Sequence, residues 1–205
     1  MTISLTDAGK RFNREWIFRH FTHQFEKGRS YAITGPNGSG KSTLLQVLSG
    51  SMHFNEGSCK WAIGNMQLAN ESIYYHVSIC APYLEVVEEM TLKEFLDFHH
   101  GFKPYLNGLT TEKIISILSL EKAANKQIRY YSSGMKQRVK LAQCIFSDTP
   151  MVLLDEPCTN LDSEGIELYH GLINEHCKDR LVVVSSNDEV EYKFCGERIS
   201  MANYK

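Results

Sequence analysis

The sequence predicts an α/β fold with a mostly parallel sheet, an antiparallel β layer beside it and a small helical insert. Three observations carry that expectation. Tyr31-Ala32-Ile33-Thr34, Met151-Val152-Leu153-Leu154 and Leu181-Val182-Val183-Val184 are short, nearly unbroken apolar runs. Continuous rather than alternating apolarity suits strands of a parallel sheet buried on both faces. A glycine-rich stretch joins the first run to a helical pattern, and the long segment between the first two runs carries capped helices rather than strands.

With 205 residues, 42 % of them hydrophobic and 22 % charged, the chain can bury one well-formed core. No repeat, low-complexity tract or linker-like run divides it. The expected organisation is a single domain over 1–205, with a helical subdomain at about 88–131 inserted in the core. A formal net charge of −2 provides no basic stripe for a phosphate backbone, so no nucleic-acid partner is expected. The start, MTISLTDAGKRF, lacks the layout of a signal peptide, and no uncharged apolar run approaches the roughly 18 residues that span a bilayer. The expected location is cytoplasmic. The six cysteines are scattered without a CxxC pair and read as reduced packing thiols.

Taken in chain order, residues 1–31 and about 57–80 hold β-like segments, including Ser72–Ile79, that suit the antiparallel layer. Ser42–Leu48 reads as a helix stopped by Gly50. Thr91-Leu92-Lys93-Glu94 has the form of a capping box opening a helix with Leu92, Phe95, Leu96 and His99 on one face. A second helix is expected from Thr111 to Leu120, with Ile114, Ile115 and Leu118 inward.

Gly35-Pro36-Asn37-Gly38-Ser39-Gly40-Lys41-Ser42-Thr43 fits the P-loop pattern GxxxxGK[ST], with a strand before it and a helix after it. Small residues let successive backbone N–H groups turn toward an anion, and the helix start adds its positive dipole end. In such a loop Lys41 serves the β- and γ-phosphates, and the Ser42 hydroxyl serves Mg²⁺. Hydrolysis needs a further carboxylate for the metal and a base for water. Met151-Val152-Leu153-Leu154-Asp155-Glu156-Pro157 supplies Asp155 for the metal and Glu156 as general base.

Tyr131-Ser132-Ser133-Gly134-Met135-Lys136-Gln137-Arg138 and Thr159-Asn160-Leu161-Asp162 add a further level. Together with the P-loop and the Asp-Glu-Pro segment, in this order, they resemble the ATP-binding-cassette (ABC) ATPase family over essentially the whole chain. Ser132, Ser133, Gly134 and Met135 stand at the family's signature loop, usually Ser-Gly-Gly-Gln; read alone, they are a helix N-cap, and the two readings are compatible.

The resemblance implies a P-loop NTPase core, ATP and Mg²⁺ as cofactors, and head-to-tail pairing with a second nucleotide-binding domain, identical or paralogous. Each ATP is then held between the P-loop of one cassette and the signature loop of the other. Asp162, at the D-loop position, would bridge the halves. Phe12 resembles the adenine-stacking aromatic, with a packed strand residue as the competing reading and Trp16 as another candidate for the stack.

Two departures stand out. Where the family carries a Gln, this chain has Pro82 in Cys80-Ala81-Pro82-Tyr83-Leu84, with Tyr83 and Glu85 as the candidate substitutes. Where it carries a His contacting the γ-phosphate, this chain has Asn187, which donates a hydrogen bond but carries no proton. Slow or partner-stimulated turnover is expected. The resemblance implies the ATPase subunit of an ABC transporter, peripheral on the cytoplasmic face beside a separate transmembrane permease subunit. The alternatives are a soluble ABC ATPase energising an iron–sulfur or repair assembly, and a weakly hydrolysing regulatory module.

Overall fold

A long hairpin opens the chain: β1 (Thr2–Phe12) pairs antiparallel with β2 (Glu15–Glu26). The computed structural model describes residues 1–205. These fall into two compact units, one of Met1–Ile79, Pro150–Asp155 and Asp179–Lys205, the other of Cys80–Thr149 and Glu156–Lys178.

In the first unit, β3 (Ser30–Thr34) and α1 (Lys41–Leu48) flank the P-loop, and β4 (Glu56–Ile63) and β5 (Met66–Gln67) follow. The antiparallel sheet runs β2-β1-β4-β5. A second sheet contains β6 (Val77–Cys80), β7 (Met151–Asp155), β8 (Leu181–Ser185) and β9 (Glu197–Ser200) in the order β6-β7-β8-β3-β9. The β7–β8, β8–β3 and β3–β9 pairs are parallel.

One core joins both sheets to α1. Phe18, Phe21 and Phe25 of β2 are fully buried with Ile3, Leu44, Leu45 and Leu48. Tyr31 and Ile33, Met151 and Leu153, and Leu181 and Val183 join the same cluster, so the odd-numbered residues of β3, β7 and β8 face α1. By that alternation Asp155 and Ser185 lie on the α1 face at the carboxyl ends of their strands. Trp61 donates its indole N–H to the Leu48 carbonyl at 2.8 Å, satisfying one of the orphan acceptors at the end of α1.

The second unit is helical. In α2 (Leu92–Phe102), Thr91 and Glu94 form a reciprocal capping box and Leu92, Phe95 and Leu96 are buried. His99 on the same helix hydrogen-bonds Ser147 Oγ at 2.9 Å. α3 (Thr111–Ile117), α4 (Ser133–Ile145) and α5 (Ser163–His176) complete the unit, while α6 (Glu189–Tyr192) is a single turn after β8 in the first unit.

The structure corrects two expectations. Ser72–Ile79 is no strand of the antiparallel layer: Asn70–Tyr75 is a 3₁₀ helix and Val77–Cys80 joins the sheet that contains β7. Tyr74 and Tyr75 lie exposed with ring centroids 3.9 Å apart, which adjacent residues of a strand, pointing to opposite faces, cannot achieve. The second helix ends at Ile117 rather than Leu120, because Ser119 takes a left-handed φ of 56° that reverses the chain. Leu118 and Leu120 remain buried on either side of that reversal. None of the six cysteines forms a disulfide.

Candidate functional site

The P-loop leaves the carboxyl end of β3 and turns directly into α1. Gly40 occupies the N-cap with φ 96°, and a Cβ there would lie 2.7 Å from Ile17 Cγ2 on β2. Only glycine meets both demands. The α1 start carries no acidic residue in its first turn, whereas α2, α3 and α5 carry Glu94, Glu112 and Glu164 there. A helix start left bare of carboxylates keeps its N–H groups and positive dipole end available to an anion.

Lys41 is 6 % exposed and forms no ion pair; its Nζ donates to the carbonyls of Gly35 at 2.7 Å and Pro36 at 3.4 Å. Its charge therefore stays uncompensated by any carboxylate, inside the curve of the loop. Ser39 N–H donates to Pro36 O at 3.0 Å, closing the loop's first turn, and the buried Ser39 hydroxyl has no partner. Pro36, Asn37 and Gly38 form the exposed crest, and Ser42 and Thr43 begin the helix half-buried.

Asp155 ends β7 two strands from β3, in register with Ser185, which is itself paired with Ile33. That places Asp155 about 10 Å across the sheet from the base of the P-loop, on the same face as α1. It is 3 % exposed, and its side chain makes no hydrogen bond or ion pair. The neighbouring Ser185 hydroxyl is also buried and unpartnered. An unpaired buried carboxylate beside an orphaned hydroxyl is the polar arrangement that a bound cation or its water would complete.

Asn187 comes to the P-loop from the end of β8. Its Oδ1 accepts from Gly35 N–H at 3.2 Å, and its Nδ2 reaches Asn37 Oδ1 at 3.5 Å. Phe12, at the exposed tip of the β1–β2 hairpin, is 47 % exposed with Lys10 Nζ 5.0 Å from its ring, so the packed-strand reading is corrected. Trp16 is engaged: Arg11 and Arg19 guanidiniums lie 5.5 and 4.5 Å from its ring, which packs on Gly9.

In the second unit, Glu156 directly follows the strand that ends in Asp155. It is exposed, with a left-handed backbone at φ 45°, and its carbonyl accepts from Thr159 N–H and Oγ1 at 3.2 and 2.9 Å. A non-glycine residue held left-handed marks a position where the turn dictates side-chain direction.

Ser132 caps α4, its hydroxyl accepting from Met135 N–H at 3.2 Å, so its O–H proton remains free to donate. The first turn of α4, like that of α1, holds no acidic residue. A Cβ on Gly134 would come within 3.0 Å of Asn160 O, so this glycine lets the 160 segment approach the helix start. Ser133 is exposed, and with Met135, Arg138, Asp162, Ser119 and Lys122 it lines a cleft of about 610 Å³.

Asp162 caps α5 by accepting from Gly165 N–H at 2.8 Å, and it meets Arg138 Nη2 at 3.4 Å. The backbone hydrogen bond, aided by Arg138, holds its carboxyl below the usual aspartate value. At the family's Gln position, the Pro82 carbonyl accepts from Lys140 at 3.2 Å, and Glu85 lines a smaller cleft of about 170 Å³ with Lys136 and Lys140.

Sequence reasoning missed two supports. Gln137, 4 % exposed, donates to the Pro157 carbonyl at 2.7 Å and so anchors the turn that follows Glu156. Its only trace in the sequence is a polar residue on the apolar face of α4. Ser185, the other, reads in the sequence merely as the polar end of a strand.

A parallel sheet with a lysine-bearing P-loop and an acidic strand end at its carboxyl edge defines a P-loop nucleotide-binding protein. Residues 18–159 match the family model described as ABC transporter. The chain belongs to the ABC transporter family and is one of its ATP-binding cassettes, the family's ATPases.

Relatives include the uncharacterized ABC transporter ATP-binding protein YhcH of Bacillus subtilis (strain 168), 26 % identical over 97 % of this chain and 66 % of its own length. The cytochrome c biogenesis ATP-binding export protein CcmA of Xylella fastidiosa (strain 9a5c) is 32 % identical over 73 % of this chain and 66 % of its own length. This chain thus spans 66 % of each of these two curated relatives. Among solved structures, the ATP-binding cassette MJ0796, a dimer in a post-hydrolysis state bound to ADP and Pi, shares the fold at a TM-score of 0.80 and 23 % identity, covering 97 % of this chain and 93 % of its own.

No helix is long and apolar enough to cross a membrane. The family implies Mg²⁺, and the donors fit a small hard cation: one hydroxyl, Ser42, and one buried unpaired carboxylate, Asp155, leaving the other positions to water and phosphate oxygen.

Proposed function

We propose that this chain binds Mg·ATP at residues 35–43 and hydrolyses it at a site completed by the signature loop of a second cassette. In this reading the chain is the ATPase subunit that drives a separate membrane subunit. One observation carries the pairing. The chain has two long helices that start without an acidic residue, α1 at the P-loop and α4 at Ser132. The first has Lys41 and the buried Asp155 beside it, whereas Lys136 in the first turn of α4 is already paired with Glu88, so each chain offers one full phosphate cradle and one second anion site. A head-to-tail pair matches each cradle with the partner's second site, and the fold shared with the dimeric MJ0796 supports that pairing by analogy.

The residues then act as follows. Backbone N–H groups of the loop and the Lys41 ammonium bind the phosphates, and Phe12 stacks on the adenine. Ser42 and Asp155 hold Mg²⁺, which when bound neutralises charge developing on the phosphates. Glu156 accepts a proton from the attacking water, which adds to the terminal phosphorus as the bond to ADP breaks, releasing phosphate. The partner's copy of Ser132 donates its free O–H to a terminal phosphate oxygen, with its capping lone pair already used by Met135. Asp162, fixed by Gly165 and Arg138, stands at the pairing face.

The relatives' names, an ABC transporter ATP-binding protein and an export protein, support the transporter role. The chain is expected to purify from native membranes with a multi-span protein that raises its ATPase activity. Recovery only with a soluble partner would move the assignment to a soluble ABC ATPase. The weakly hydrolysing module remains the second reading, favoured by Pro82, which has no side-chain donor or acceptor. A turnover indistinguishable from the Glu156→Gln variant under all partner conditions would establish it.

A further inference from the structure

We infer that Asn187 is a positioning residue of the P-loop, acting on bound nucleotide through Gly35 and Asn37 rather than on the terminal phosphate. The inference rests on the ATP-site reading above. Its origin is the sheet register. Ile33 pairs with Ser185, so two residues further along each strand Gly35 comes beside Asn187. Ser186 N–H donates to Ile33 O at 3.1 Å, which extends the ladder to the edge of the loop.

The backbone at Asn187 is fixed on both sides. Ser186 Oγ accepts from Asp188 N–H at 2.9 Å, and Asp188 accepts from Val190 N–H at 2.9 Å to cap α6. The side chain is therefore aimed by a rigid turn.

What it meets decides the role. The Gly35 N–H can only donate, so the amide oxygen faces it, at 3.2 Å. The amide nitrogen then points to Asn37 Oδ1 at 3.5 Å. Both ends of the amide are engaged by the loop. The Gly35 carbonyl in turn accepts from Lys41 at 2.7 Å, so a single residue links Asn187 to the phosphate-binding lysine. An imidazole cannot offer this pairing, because its two nitrogens diverge across a ring, whereas the amide presents acceptor and donor side by side.

A residue acting on the terminal phosphate affects ATP and leaves ADP alone. One that holds the shape of the loop affects both, because the β-phosphate lies in the same cradle. Isothermal titration of the full chain with ADP and with a non-hydrolysable ATP analogue separates the two roles. Asn187→Ala is expected to weaken both ligands alike, by about 3- to 10-fold for the loss of ordinary neutral hydrogen bonds.

Asn37→Ala is expected to give part of the same loss, and the double variant no more than Asn187→Ala alone. Asn187→Ala should stay fully folded at the titration temperature, its thermal midpoint lowered only slightly by the lost hydrogen bonds, which distinguishes positioning from general destabilisation. Wild-type ADP affinity in Asn187→Ala, or fully additive effects of the two substitutions, would overturn the inference. Absence of ADP and ATP-analogue binding in the wild-type chain would instead overturn the ATP-site reading.

Discussion

Lys41 and Asn187 grip opposite sides of one residue: the lysine ammonium donates to the Gly35 carbonyl at 2.7 Å, and the Asn187 amide oxygen accepts from the Gly35 N–H at 3.2 Å. The loop's first turn is thus tied to its own lysine and to the end of β8. This order lets an eight-residue helix present its N–H groups as a preformed cradle.

Lys41→Ala removes the one buried cation of that cradle. ATP affinity is expected to fall roughly 10- to 100-fold, the loss of hydrogen bonds to a charged group. Titration with ATP measures it, and tight binding by the variant would sink the P-loop assignment.

Asp155→Asn keeps the shape of a buried side chain but removes its unpaired charge. The Mg²⁺-dependent gain in ATP affinity is expected to shrink by about 10-fold or more as a hard carboxylate ligand is lost. The thermal midpoint without metal should be no lower than wild type, because no hydrogen bond or ion pair is lost with the carboxylate. Titrations with and without Mg²⁺, beside a melting curve, test both parts.

Ser132 caps α4 and, in the proposed pairing, contacts the partner's phosphate, and two substitutions separate these roles. Ser132→Ala should cost about 1 kcal/mol of stability through the lost cap. Ser132→Asp keeps a good cap but sets a negative charge against phosphate, so stability should hold while ATP-driven pairing is lost. Sedimentation with ATP, beside thermal melts, reads the two effects.

His99 gives a pH signature. Burial, with Lys103 nearby, lowers its pKa to about 4 from an ordinary value of 6.5. The unfolded chain therefore binds the proton more readily between those values, so stability falls as pH drops from about 6.5 to about 4. The loss is on the order of 2 kcal/mol, given the partial exposure of the ring. Melting curves across this window should show His99→Gln losing less on acidification than wild type; an equal loss would contradict the assignment.

Local pattern carried much of the fold and part of the site. The capping box at Thr91 and Glu94, the stop at Gly50 and the buried runs of β3, β7 and β8 are written in adjacent residues. The P-loop is likewise local, because its chemistry depends on consecutive N–H groups. What escaped depends on pairing between distant residues. Val77–Cys80 joined the sheet with β7 because register and burial, not its own residues, assign a strand to a sheet. Asn187 reaches Gly35 across 152 positions, and Gln137 reaches Pro157 across 20. Neither spacing leaves a local signal.

In the proposed mechanism Glu156 is the base for hydrolysis of an ATP held between two cassettes, and Glu156→Gln probes that role through ATPase rate and sedimentation on the same sample. Turnover should fall by about 10²- to 10⁴-fold, the usual worth of a positioned base, while ATP binding persists and an ATP-bound dimer accumulates. Turnover at the wild-type rate, or a variant that stays monomeric in saturating ATP, would refute that role.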